Sequence, residues 1–227
     1  MPHESDSRSK IEQYIPLVKF LGVFLGEKCE VVLHDAVEKE KSVLAIENGH
    51  ISGRAVGAPL TDLALQFVMT EKYKETDWVM GYRAQSSSGS PLHSATYFIR
   101  EDDGSLAGML CLNLEVSDIV QARELLSRFI QSAGFGGSFS LPSDESRISS
   151  ATVETFTDNI EELTEGIIRN VVQQAAVSPE RMTTAEKMEI MRTLHDRGVF
   201  LLKGSVALVA EVLVASEATI YRYLNKL

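Results

Sequence analysis

The run GFGGSFSLPSDESRISS at 134–150 constrains this chain more than any other stretch. Rich in Gly, Ser and Pro, it can continue neither a helix nor a strand, and it reads as a linker. The two sides differ in kind. Before it, short apolar segments alternate with turn residues; after it, every apolar pattern recurs at helical spacing. A chain of 227 residues divided in this way has length enough for two small folded units.

In the first unit, residues 1–10 read as disordered. Ile11–Leu25 is apolar at helical spacing through Ile15, Val18, Leu21 and Leu25, with Pro16 limiting the regularity of its start. CEVVLH at 29–34 and SVLAIE at 42–47 read as strands, and Asn48-Gly49 after the second suits a tight hairpin turn. Leu60–Met69 reads as a helix, Trp78–Ala84 as a strand and Ser86–Pro91 as turn chemistry. His93–Arg100 and Leu106–Leu114 form the best strand pair, joined through Asp102-Asp103-Gly104, and Val116–Ser132 is helical. This order predicts an α+β domain over 11–133, an antiparallel sheet with flanking helices, near the commonest domain size.

Beyond the linker (134–155), Phe156–Gln174 reads as a long connector helix within 156–178. Its seam of Phe156, Ile160, Leu163 and Ile167, continued by Asn170 and Gln174, packs either on a partner subunit or on the chain's own domains. Ser178-Pro179 breaks the chain, and Thr184–Arg197 is a helix with Thr183 or Thr184 as its cap and Gly198 at its end. Two short helical runs follow in Lys203–Leu227, completing an all-α unit over 179–227. Val206, Val209, Ala210 and Leu213 mark the first run; Ile220, Tyr223 and Leu224 mark the second, behind the cap signal Ser216 with Thr219. Such a pair reads as a helix-turn-helix, with Ser216, Glu217, Ala218, Tyr221, Arg222 and Asn225 exposed where a recognition helix meets DNA. Thr219 belongs to the same helix start, and Lys203 and Lys226 lie near that face. On spacing alone an ordinary helical hairpin fits equally well. The turn holds Val214-Ala215 where Gly is common, so it adopts another geometry or stores strain.

Charge narrows the partner. The net charge is −10, yet from Pro179 onward seven Lys/Arg face six Asp/Glu, leaving 15 against 26 for the rest. An acidic body with a near-neutral tail suits a modest DNA footprint, strengthened when a second copy occupies a second half-site. No apolar run approaches the roughly 18 residues of a membrane span. The start carries no signal-like apolar core, and Cys29 and Cys111 form no CxxC pair; a cytoplasmic protein with reduced thiols is expected.

Catalytic motifs are missing: there is no GxGxxG, P-loop, GxSxG or HExxH. His3, His34, His50, His93 and His195 are isolated from one another, so neither a metal site nor a catalytic set is predicted. His34 and Asp35 alternate across a strand and cannot act together. The strand pair is the better binding surface, because it sets polar side chains among apolar ones. Candidate ligand contacts are His34, Arg54, Ser94, Thr96, Tyr97, Cys111 and Asn113, although Tyr97 alternates to the other face from Ser94 and Thr96.

Three segments, LGVFLGEKCEVVLHDA, GHISGRAVGAPLTDLAL and HSATYFIREDDGSLAGMLCLNLE, resemble the N-terminal half of the YheO-like bacterial regulators, a PAS-like sensor domain. RGVFLLKGSVALVAEVLVASEATIYRYL resembles the helix-turn-helix domain that follows it in that family. The resemblance runs roughly over Ile11–Ser117 and Ala185–Leu224. It implies a cytoplasmic transcription factor in which a small molecule sensed by the first domain modulates binding to double-stranded DNA, acting as a homodimer or higher homo-oligomer. It names no cofactor, since PAS-like domains hold diverse ligands or none. The alternative is a sensor or adaptor whose C-terminal helices bind a protein instead of DNA.

Overall fold

A computed structural model describes residues 10–86, 88–132, 154, 156–157, 159–175 and 177–227. Most of the expected linker, and nearly all of the first ten residues, lie outside them. The first unit contains helix α1 (Ile15–Leu25), strands β1 (Cys29–Asp35) and β2 (Val43–Glu47), and helix α2 (Asp62–Met69). Strands β3 (Trp78–Gln85), β4 (Pro91–Arg100) and β5 (Leu106–Glu115) and helix α3 (Ser117–Ser132) complete it. The strands form the expected antiparallel sheet, in the order β2-β1-β5-β4-β3.

Both faces of β1 are covered, and every one of its residues is buried. Val31 and Leu33 turn toward α1 and join Ile11, Val18, Ile99 and Leu110. Gly22 makes the close approach of α1 to β2 possible, because a Cβ there would collide with the Glu47 side chain. Asn48 takes a left-handed φ of 58°, as its turn signal suggested, but residues 49–53 continue as turns and make no hairpin partner for β2. Instead its Nδ2 donates to the carbonyls of Gly22, Gly26 and Cys29, at 3.3, 3.0 and 2.7 Å. That pins the end of α1 to the start of β1. The opposite side of α1 carries Phe20, Val23 and Phe24 into solvent.

The other face of the sheet packs on α2, which is capped by Thr61 through the backbone N–H of Ala64. There Val32, Val79, Phe98 and Met109 meet Leu63, Ala64 and Phe67. The same apolar cluster continues into the second unit: α4 (Ile160–Gln173), α5 (Thr184–Asp196), α6 (Ser205–Val212) and α7 (Glu217–Leu224). Leu163, Ile167, Leu194, Val209, Leu213 and Ile220 all belong to it. Gly198 sits where the two units touch. Its φ is 75°, and a Cβ would stand 3.1 Å from the Leu65 carbonyl oxygen and 3.0 Å from Met69 Cγ. Here glycine meets two demands at once, a left-handed helix end and a neighbouring backbone.

One expected helix is corrected. α4 begins at Ile160, not Phe156, because Asn159 accepts from the N–H of Glu161 at 2.8 Å and fixes the start there. Phe156 belongs to a separate apolar patch with Ile51, Ala84 and Leu92 at the sheet. Leu163 and Ile167 are used up inside the chain against α5 and α6, so of the two readings of the seam the internal one holds.

Candidate functional site

α6 and α7 close on each other through Val209, Ala210, Leu213, Ile220 and Tyr223, all buried. Burial of one stripe on each helix turns the rest of α7 outward. Ser216 caps it, accepting from the N–H of Thr219 at 3.2 Å with the two hydroxyl oxygens 3.0 Å apart. Glu217, Ala218, Tyr221, Arg222 and Asn225 are exposed along one side, with Lys226 beyond them. Thr219 is half-buried in the cap, and Arg222 lies 5.8 Å from the centroid of the Tyr223 ring.

The turn between the helices resolves the Val214 question. The Ala215 N–H donates to Ala210 O at 2.9 Å and the Val214 N–H to Glu211 O at 3.1 Å. This is a Schellman closure with Val214 at the position normally given to glycine. Val214 has φ 49°, so it stores the strain rather than avoiding the geometry. Lys187, from α5, donates to Leu213 O at 2.6 Å and supports the carbonyl end of α6. Lys203 departs from its expected place: its backbone N–H donates to Glu40 at 3.2 Å and its ammonium lies 3.7 Å from the same carboxylate. It faces the first unit.

The second site lies on the sheet face toward α2. Glu30 of β1, Asn113 of β5, Ser94 of β4 and Tyr82 of β3 are successive cross-strand partners, and Val32, Cys111, Thr96 and Val79 form the next row. Strand alternation thus gathers Ser94, Thr96, Cys111 and Asn113 on one face, with His34 a row further along. Tyr97 is the correction: it alternates to the opposite face and is exposed. Arg54 is no surface charge. Buried in the loop before α2, it donates through Nη2 to Pro59 O and lies 5.9 Å from the centroid of the Phe156 ring.

Burial sets the chemistry of these groups. The hydroxyl of Ser42 donates to Asp35 O, so His34 Nδ1 is the donor in the 3.0 Å contact with the Ser42 oxygen. Burial, then the nearby Arg54 charge, hold His34 well below the usual imidazole range. Tyr82 and Thr96 hydroxyls lie 2.8 Å apart, and the Cys111 thiol stands 3.3 Å from Thr96 Oγ1. Burial pushes that thiol up to about 12.

Five members of this cluster were not among the expected residues: Glu30, Ser52, Thr61, Tyr82 and Glu154. Glu30 is held by the Ser52 N–H at 3.2 Å, the Ser52 hydroxyl, and Asn113 Nδ2 at 2.8 Å. Glu154 enters from the last residues of the linker, its N–H donating to Arg83 O at 3.1 Å in a parallel bridge to Ala84. Its carboxylate accepts from Thr61 Oγ1 at 2.6 Å. Burial raises both acids, Glu154 to about 8. Glu30 was legible as a carboxylate set directly among the apolar residues Cys29, Val31, Val32 and Leu33 of β1. Glu154, in a polar stretch without periodicity, carried no signal.

Comparison with known proteins adds two domain matches. A model of the YheO-like PAS domain matches residues 4–131, and a helix-turn-helix domain model matches 163–225, beginning inside α4. An uncharacterized protein of Haemophilus influenzae is 28% identical over 226 residues, covering 100% of this chain and 95% of its own length. The uncharacterized protein YheO of Escherichia coli is 24% identical over 225 residues, 99% of this chain and 88% of its own. The transcriptional regulator DauR of Pseudomonas aeruginosa is 24% identical over 217 residues, 96% of this chain and 94% of its own.

Proposed function

The chain belongs to the YheO-like PAS domain family and carries a helix-turn-helix domain behind its PAS domain; on that premise we propose a cytoplasmic DNA-binding transcriptional regulator. Its buried polar cluster senses a small molecule and modulates operator binding. The likeness to DauR, a transcriptional regulator by name, supports the regulatory part. One observation carries the DNA reading: the capped start and outer side of α7 stand free while both helices of the motif bury their inner stripes. In this reading Glu217, Ala218, Tyr221, Arg222 and Asn225 face the bases, with Ser216, Thr219 and Lys226 toward phosphates.

The weak positive charge of this face favours a homodimer placing two such motifs on two half-sites. A second copy would cover the outer sides of α1 and α3. The latter buries none of its described side chains and leaves Ile119, Leu125, Leu126 and Phe129 63–65% exposed. We divide the regulator into a sensor over 11–133, a linker over 134–155 and a DNA-binding unit that takes in α4.

Selection of genomic fragments by the purified chain, followed by titration of an enriched site, tests the reading. Arg222→Ala is expected to lower affinity about tenfold or more and to relax the base preference at the position it faces. Tyr221→Ala should weaken binding without unfolding the chain. Wild-type affinity in both variants would overturn the recognition assignment, and failure to enrich any DNA would favour the protein-binding alternative.

A further inference from the structure

The cluster around Glu30 and Glu154 holds buried polar atoms that its neighbours leave unmatched. Ser94, Asn113 and Glu154 are at most 5% exposed, yet among the described residues Ser94 Oγ, Asn113 Oδ1 and Glu154 Oε2 have no hydrogen-bond partner. The amide and carboxylate oxygens can only accept when the acid is ionised, and the hydroxyl can do either. Buried polar atoms left unmatched are costly, so such a set calls for hydrogen-bonding partners from elsewhere. Charge narrows the kind of partner. Two carboxyl groups, Glu30 and Glu154, share the cluster with one guanidinium, Arg54, while His34 is held neutral. One further positive charge would balance the ionised set. Glu154 is bridged to Ala84 of β3, and its charge adds to burial in raising Tyr82 and Cys111.

We propose that this cluster binds a small organic cation through its N–H donors, an alkylammonium or related amine, and that Glu154 is one of the groups touching it. The proposal rests on the reading of the cluster as the sensor's ligand site and adds to it the ligand's chemical class and the residue that reports occupancy. Glu154 is bonded to the sheet through Arg83 and to the start of α2 through Thr61, and α4 begins six residues later, at Ile160. A ligand that engages this carboxylate therefore acts on the segment that leads directly into the DNA-binding helices.

The test uses the full chain with propylammonium chloride and sodium propionate, matched in size and opposite in charge, at equal ionic strength. Propylammonium is expected to raise the melting temperature by about 2–4 °C, and propionate to leave it unchanged. Titration calorimetry at pH 7 in two buffers of different ionisation enthalpy should show release of most of a proton on binding. Glu154→Gln keeps an acceptor for Thr61 and should abolish both the shift and the proton release while melting as cooperatively as wild type. A response to propionate, no response to propylammonium, or an undiminished response in Glu154→Gln overturns the proposal.

The underlying site reading is tested separately. The small-molecule fraction of a cell extract should change operator affinity in the wild type but not in Ser94→Val. If it does while propylammonium does nothing, the site stands and its cationic class falls. If the extract acts equally on both proteins, the site reading itself falls.

Discussion

Val214 shows how a single residue can keep a motif's geometry while working against its own backbone preference. The Schellman closure places it at a φ of 49°, and its side chain is 58% exposed, so it recovers little through burial. A β-branched residue in this region costs on the order of 1–2 kcal/mol, part of which glycine would return as extra freedom of the unfolded chain. Val214→Gly is therefore expected to stabilise the protein by about 1 kcal/mol, measured by denaturant titration; an unchanged or lower midpoint would refute the strain. The sequence already posed this alternative, because the turn was recognisable from the apolar spacing on either side. Glu154 is the contrasting case. Its role depends on meeting Thr61 and Ala84, residues about 70 to 90 positions away in the chain. No local pattern encodes such a meeting.

Elements were legible in proportion to how strictly their periodicity served one buried face. β3 and β4 largely alternate buried and exposed residues, whereas β1 is buried throughout, and the sheet appears where the strand signals placed it. Most helix ends follow local caps: Thr183 and Glu186 form a reciprocal capping box at the start of α5. α4 was misread by four residues at its start because Phe156 matches the helical seam by spacing, while its burial comes from the sheet edge instead. The contact between α2 and the turn after α5 was equally hidden, since Gly198 reads first as a helix terminator. Gly198→Ala tests the second role. It forces a left-handed alanine against the Leu65 carbonyl, and should destabilise the chain by about 1–3 kcal/mol. Protease cleavage between the two units should quicken as well. Loss of stability with unchanged cleavage would show that the glycine serves only the helix end.

At the scale of the whole molecule, the acidic chain leaves two apolar helix surfaces uncovered by the other described residues, and the proposed DNA-reading face has few cations. Both features would be answered by the proposed second copy. Phe24→Glu and Leu126→Glu, made one at a time, are expected to shift the proposed dimer to monomer in sedimentation velocity. Operator affinity should fall tenfold or more with them, as two-site binding is lost. A dimer that survives both changes would place the interface elsewhere. The apolar cluster that runs from the sheet through α2 into α4–α7 bears on modularity. A helix-turn-helix half that borrows part of its core from the PAS domain is not a cassette: moved onto another domain without α2, it would arrive with an open seam, and chimeras of such regulators should be cut outside the shared core.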